Sequence, residues 1–200
     1  MAGKTNRGRF FEDYFVGQII NHSVPRTLTS GERAIYLAAY PARHALYSSD
    51  EFARKCGFAE SPLTELAAFH IIFGKTVPDI SLNAVANLGY AECSFLKPVF
   101  VGDTLRSISE VIGLKQNSNG KTGVVWVRTS GFNQRDEKVI EYIRWVMIRK
   151  SDYNSSEPTA IIPKLKPCLT VKDLIIPEGL SFEDYNYELS GDKHRLNDYS

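Results

Sequence analysis

The chain has 200 residues, of which 43% are hydrophobic, enough to build the core of one ordinary domain. Its 24 basic and 23 acidic residues leave a net charge of +1, which argues against a nucleic-acid-binding protein. Three scattered cysteines have no metal-binding spacing and are typical of a reduced, cytoplasmic protein. No signal peptide is visible in the first 15 residues, and no apolar run approaches the roughly 18 residues of a membrane span. We therefore expect a cytoplasmic protein without a membrane partner.

Helix signals dominate the first part of the chain. Residues 17–24 alternate weakly and are compatible with an edge strand. Thr29, with Glu32 three residues later, forms a capping-box pattern at the start of a helix that Pro41 would end. A second short helix is predicted from 50 onward, with a serine cap before it and a glycine after it.

The most apolar helix is predicted between residues 61 and 75. Ser61 would cap it, and Pro62 suits its first turn. Its apolar side chains occupy nearly the whole circumference, which is typical of a buried helix. We expect His70 to be a core histidine bonded to a backbone carbonyl rather than a ligand.

Strand signals dominate the second part. Four segments are rich in β-branched and aromatic residues, at 84–96, 104–116, 123–134 and 139–150. Turn residues at Asn119–Gly120 and 134–138 separate the last three, so we predict four consecutive strands in an antiparallel meander. One buried helix with one curled antiparallel sheet is an α+β arrangement. After Lys150 the chain is rich in serine, proline and lysine, which indicates a linker or an extended arm.

Three stretches resemble one known family: FEDYFVGQII at 11–20, the segment 77–111, and the segment 127–150. They are similar to the MaoC-like acyl-CoA hydratases and dehydratases, and PVFVGDTL at 98–105 carries the most specific match. NAVANLGY at 83–90 resembles the mesaconyl-CoA hydratase (methylmalyl-CoA dehydratase) branch. The resemblance implies a hot-dog fold, in which a curled antiparallel sheet wraps a central helix. We expect that domain at 8–150, followed by a linker or arm at 151–200.

The resemblance also implies pairing, because hot-dog units of this family associate in twos. Residues 194–200, HRLNDYS, resemble the start of a hot-dog unit and loosely repeat residues 9–14. We therefore expect the chain to be the first half of a double hot-dog protein. A single unit leaves a sheet edge and a helix face open, so the isolated chain is expected to form a homodimer or a larger homo-oligomer.

The family's catalytic residues are an aspartate and a histidine in the pattern D-x-N-P-x-H. The pair activates water for addition to a 2-enoyl thioester by general acid–base catalysis. Alignment on the following LYSSDEFA puts the aspartate position at Ala42, the asparagine position at His44 and the histidine position at Tyr47. Alanine transfers no proton, and tyrosine, with a pKa of about 10, is a poor base near neutrality. We therefore expect a non-catalytic or weakly active unit that binds acyl-CoA.

Replacement residues keep a second interpretation open. His44 and Glu65 are candidates for the missing acid or base, which would make the chain an active enoyl-CoA hydratase. The family's His-Gly at the start of the central helix falls on Thr64 and Glu65, so we name Tyr47, Thr64 and Glu65 as substrate-binding candidates. An assembly module without a small ligand, or a thioesterase, are further alternatives. His22 has no acidic or cysteine partner at metal-binding spacing, so we expect no metal and no cofactor.

Overall fold

The computed structural model describes residues 6–40 and 44–185. Five strands form its sheet: β1 (Ile19–Thr27), β2 (Ala84–Phe95), β3 (Thr104–Gln116), β4 (Thr122–Phe132) and β5 (Lys138–Arg149). Four α-helices precede β2: α1 (Ser30–Ala39), α2 (Ala45–Ser48), α3 (Asp50–Lys55) and α4 (Glu65–Thr76). The π-helical turn Val77–Ser81 follows α4 directly, and 3₁₀ turns occupy Phe11–Asp13 and Val171–Asp173.

The strands form one antiparallel sheet in the order β1-β3-β4-β5-β2. The predicted antiparallel meander is confirmed for β3, β4 and β5. The first of the four predicted strands, β2, pairs with β5 instead of β3, so its predicted position was wrong. Neighbours in sequence often pair but need not do so. Here α4 carries the chain to one edge of the sheet before β2, and residues 96–103 carry it back. The prediction that the first strand lies at an edge is confirmed.

The predicted cap of α1 is present. The backbone N–H of Thr29 donates to Glu32 Oε2 at 2.9 Å, and its hydroxyl also contacts that carboxylate. Ser49 caps α3 by accepting from the N–H of Phe52 at 3.2 Å, and Gly57 follows with a φ of 93°. These local signals needed no tertiary partner, because each cap is formed by residues within one turn.

The start and the burial of α4 differ from the prediction. The helix begins at Glu65, and Thr64 is its cap, accepting from the N–H of Ala67 at 3.2 Å; Ser61 is buried upstream. Only one side of α4 packs on the sheet, so Leu66 is 58% exposed. His70 lies on the exposed side, with Tyr36 Oη 3.1 Å from its Nδ1, so its assignment to the core was also wrong. A helix that carries apolar side chains such as Leu66 on its exposed side typically has a second packing partner besides the sheet.

The buried side of α4 approaches the sheet closely at Gly131 of β4. A Cβ at this position would lie 2.7 Å from a methyl group of Ile140 and 2.8 Å from Ile72 of α4. Ile72 is fully buried in the cluster that also contains Leu63, Leu105 and Tyr142. A second apolar cluster lies near the 3₁₀ turn at Phe11–Asp13, on the same inner face of the sheet, and includes Phe11, Tyr14, Ile20, Ile80, Val111 and Val125.

Residues 151–185 run over the domain with little regular structure. An isolated antiparallel bridge joins Ile161 to Leu114 of β3. The boundary at 150/151 stays a prediction, and the family-like segment at 194–200 lies outside the described residues. Across the described ranges, no helix combines the length and the apolar character needed to cross a bilayer.

Candidate functional site

A largely apolar cavity of about 430 Å³ lies at the N-terminal end of α4. The helix and the segment before it supply one wall, with Pro62, Leu63, Glu65, Leu66 and Ala68. The end of β2 and the following loop supply another, with Cys93, Ser94, Phe95, Lys97, Pro98 and Val99, while Val139 of β5 closes the interior. The N–H of Leu63 donates to the carbonyl of Val99 at 2.7 Å, which fixes these two walls relative to each other. A cavity of this size and lining is suited to a small apolar group.

Two predicted substrate-binding residues meet beside this cavity. The hydroxyl of Tyr47 in α2 donates to Glu65 Oε2 at the start of α4, at 2.7 Å. Burial, and then the bond to Glu65, raise the pKa of Tyr47 above its usual value. Because this favours the protonated phenol, Tyr47 is a hydrogen-bond donor and a still poorer base than a free tyrosine. Glu65 is exposed, and its Oε2 is engaged by the Tyr47 hydroxyl.

His44 has a structural role in this region. Its Nδ1 accepts from the N–H of Leu46 at 3.2 Å, which caps the four-residue helix α2. Its ring packs edge-on against Phe52, with 5.7 Å between ring centroids, and its Nε2 lies 3.5 Å from the hydroxyl of Tyr185. Ala42, the other position of the family pattern, lies outside the described residues.

Thr64 acts through the backbone of α4. Its hydroxyl accepts from the N–H of Ala67, and its carbonyl accepts from the same N–H at 2.9 Å. The first turn of α4 therefore begins at the cavity, where the positive end of the helix dipole favours an oxygen that carries partial negative charge. Whether Thr64 contacts a ligand stays a prediction.

A carboxylate–imidazole pair that the sequence did not reveal lies elsewhere in the fold. The sequence shows no acidic partner for His22 at metal-binding spacing, but in the fold its Nδ1 lies 2.9 Å from Asp79 Oδ2. Its Nε2 lies 2.8 Å from Ser109 Oγ, and Ser109 lies 2.7 Å from Thr129 Oγ1. With Nδ1–H donating to Asp79, Nε2 accepts the hydroxyl proton of Ser109. No spacing rule predicts the pair, because 57 residues separate its members.

This pair is remote from the cavity, and its imidazole is shielded from solvent. The side chain of His22 is fully buried, and Ser109 is buried as well. Asp79 follows the C-terminal end of α4, whereas the cavity lies at the N-terminal end of this 12-residue helix, about 17 Å away along the axis. The pair therefore belongs to the packing of the core. In residues 6–40 and 44–185, no three histidine, cysteine or acidic side chains cluster as a metal site would require.

Comparison with known proteins identifies the family. Residues 1–197 match the family model described as mesaconyl-CoA hydratase. The chain belongs to this family. It is 64% identical over 197 residues to a mesaconyl-CoA hydratase of Cereibacter sphaeroides, a match that covers 98% of this chain and 57% of the relative. It is 51% identical over 199 residues to a β-methylmalyl-CoA dehydratase of Chloroflexus aurantiacus, covering 100% of this chain and 56% of the relative. The chain thus spans a little over half the length of these relatives.

Solved structures of similar proteins confirm the hot-dog fold. A crystal structure of a MaoC domain protein dehydratase from Chloroflexus aurantiacus superposes with a TM-score of 0.90 at 51% identity, covering 100% of this chain and 57% of that one. A Mycobacterium tuberculosis protein described as a double hot-dog fold superposes with a TM-score of 0.71 at 22% identity, covering 94% of this chain and 57% of that one. The predicted resemblance to the MaoC-like family, and to its mesaconyl-CoA hydratase branch, is confirmed.

Proposed function

We propose that this chain is an acyl-CoA-binding hot-dog unit of a hydratase/dehydratase, and that it has little catalytic activity alone. One observation carries the proposal. The cavity opens at the start of α4, where Glu65 lines it, and Glu65 accepts a hydrogen bond from the phenol of Tyr47, the residue aligned with the family's base. The apolar lining is suited to an acyl group, and the helix end is suited to its thioester carbonyl.

The missing chemistry follows from the reaction. Hydration adds the oxygen of water to the β-carbon of an enoyl thioester and a proton to the α-carbon, and dehydration is the reverse. A general base must take a proton from water, and a general acid must deliver a proton to the α-carbon. Each of these groups typically accelerates the reaction by about 10²–10⁴-fold. Tyr47 is a weak base, His44 is engaged in capping α2, and His22 is buried far from the cavity.

The names of the relatives indicate a substrate class. Mesaconyl-CoA and β-methylmalyl-CoA are thioesters of short, branched dicarboxylic acids, so we infer that a short branched acyl-CoA is the ligand class of this chain. Cavity residues Leu63, Ala68 and Val139 are apolar and suit the carbon skeleton of such a group.

We further propose that the unit functions in a pair, either with a second hot-dog unit or with a copy of itself. The strand β2 lies at the sheet edge and carries exposed Val85, Leu88 and Tyr90. Leu66 on α4 is exposed as well. A long edge strand with apolar side chains beside an apolar helix face favours association over a stable monomer.

Calorimetry tests ligand binding with a matched pair of ligands. Butyryl-CoA and free CoA differ only in the acyl group, and burying its carbons in the cavity should tighten binding by at least about tenfold. Equal affinity for the two ligands would exclude the cavity as an acyl site. Failure of both to bind would favour the interpretation of a pure assembly module.

Hydration of crotonyl-CoA and mesaconyl-CoA, followed as loss of enoyl-thioester absorbance, tests catalysis. We expect at most a slow rate from the isolated chain, and the same rate in Tyr47→Phe, which removes only the hydroxyl, in Glu65→Gln and in His44→Ala. Fast turnover that falls in any of these variants would refute the proposal and favour an active hydratase with replacement residues. The three variants should bind butyryl-CoA, which serves as the control for a folded cavity.

A further inference from the structure

The wall of the cavity opposite α4 is formed by residues outside the sheet and helices. Leu169, Asp173, Leu174, Ile175 and Pro177, all from the segment after the last strand, line the cavity. We call residues 161–181 the strap. The strap's lining residues face Leu63, Ala68 and Val139, which belong to the body of the domain.

The strap is held on both sides of the cavity by backbone hydrogen bonds. On one side, Ile161 and Leu114 exchange two bonds of 2.8 and 2.9 Å. On the other side, the N–H of Ser181 donates to the carbonyl of Cys56 at 2.9 Å. The segment between them therefore crosses the cavity with both ends fixed to the domain, which restricts the positions that its side chains can reach.

Two glycines of the domain make room for the strap. A Cβ at Gly113 would lie 2.6 Å from the carbonyl oxygen of Ile161, and a Cβ at Gly57 would lie 2.2 Å from the carbonyl oxygen of Gly179. Any side chain at either position would push the strap away from its path. The backbone of the strap can therefore approach the backbone of the domain this closely only because both domain positions are glycine.

A third contact lies beside the cavity. Glu92 interrupts the register of β2 with a φ of +51°, a conformation that is unfavourable for glutamate. In this conformation its Oε1 accepts from the backbone N–H of Lys166 at 2.9 Å. Cys93, the next residue, lines the cavity. The irregularity of β2 therefore fixes the strap and shapes the cavity wall at the same point.

A local turn presents the strap's apolar side chains to the cavity. Asp173 Oδ2 accepts from both the N–H and the hydroxyl of Thr170 at 2.9 Å, and Asp173 Oδ1 accepts from Lys166 Nζ at 2.7 Å. Leu174 and Ile175 follow this turn and line the cavity, yet they remain 67% and 47% exposed. Their apolar surface is thus available to be covered by a ligand, which would remove it from water.

We propose that Leu174 and Ile175 determine which acyl lengths the cavity accepts, because they form the wall that the acyl group would meet opposite α4. This inference rests on the proposed function. If it is right, truncating either side chain to alanine opens space for up to three further carbons. Each methylene newly buried there should tighten binding by about fourfold.

The experiment is a calorimetric series of acetyl-, butyryl-, hexanoyl- and octanoyl-CoA against the 200-residue chain. We expect the affinity of the wild type to stop rising at one acyl length, and the maximum to move to longer acyl groups in Leu174→Ala and Ile175→Ala. Ile175→Trp, which narrows the cavity, should move it to shorter ones. Val171→Ala and Ile176→Ala are matched controls, because these apolar strap residues are 84% and 74% exposed and do not line the cavity.

The outcomes separate this inference from the proposed function. If thioesters bind more tightly than free CoA but all variants keep the wild-type length profile, the strap does not select the acyl group and only this inference fails. An equal shift in the controls would also overturn it, because the effect would then be general to the strap. If no thioester binds better than free CoA, the proposed function fails and the inference with it.

Discussion

The substitution His22→Asn tests whether the buried carboxylate–imidazole pair is structural. Asparagine keeps an N–H donor for Asp79 but does not reach Ser109, so the bond between Ser109 Oγ and His22 Nε2 is lost. Because both groups are buried, the loss should lower the free energy of unfolding near pH 7.5 by about 1–3 kcal/mol.

The pH dependence of this effect has a definite sign. Burial lowers the pKa of His22 below its usual value, and Arg144 and Arg9 act in the same direction, whereas Asp79 partly opposes them. The unfolded chain therefore binds a proton as the pH falls through about 6.5, while the folded chain does so only at lower pH. Wild-type stability should fall below pH 6.5, at up to about 1.4 kcal/mol per pH unit from this group, and the asparagine variant should lack that contribution.

Urea unfolding followed by tryptophan fluorescence at pH 7.5, 6.5 and 5.5 measures the difference between wild type and variant. We expect the difference to shrink between pH 6.5 and 5.5. His70→Asn is the control, because it makes the same substitution at an exposed histidine outside the pair. A difference that grows on acidification would mean that His22 is charged in the fold and would refute the reasoning. Loss of butyryl-CoA binding by a folded His22→Asn variant would instead assign the pair to the site.

Four further substitutions test assembly and packing. Leu88→Lys on the edge strand should reduce the mass measured by light scattering toward that of a monomer. Ile35→Lys, at an exposed position of α1, is the control and should leave the mass unchanged. An unchanged mass in both variants would locate the interface elsewhere. Gly131→Ala should lower the free energy of unfolding by about 1–3 kcal/mol, because the new methyl group meets Ile72. Gly74→Ala should raise it by up to about 1 kcal/mol, because this position of α4 is open and alanine favours a helix. Urea denaturation measures both, and effects of equal sign would contradict the packing described.

The local elements were predictable because their signals lie within a few residues. The cap at Thr29 and Glu32 and the turn at Asn119–Gly120 each depend on chemistry inside a single turn of chain. The three consecutive strands β3, β4 and β5 followed from composition and short turns. The position of β2 did not, because its partner is chosen by the path of α4 and by packing at the far edge of the sheet.

The start of α4 shows how a local signal can mislead. Serine and proline are common at helix starts, but the cap of α4 is Thr64 and not Ser61. Ser61 makes a different contact. Its N–H donates to Asp50 Oδ1 at 3.0 Å, and the N–H of Leu63 is bound to Val99. These distant partners hold the residues before Glu65 in an extended conformation, so the helix begins later than the sequence pattern indicates.

The sequence by itself determined the family and the α+β class. It did so because a family pattern and the alternation of apolar residues are properties of the chain order alone. Only the tertiary structure decided that Tyr47 donates to Glu65, that Asp79 meets His22, and that the strap lines the cavity. These contacts join residues 18, 57 and about 110 positions apart, and their distances depend on how the elements pack, which no short-range pattern contains.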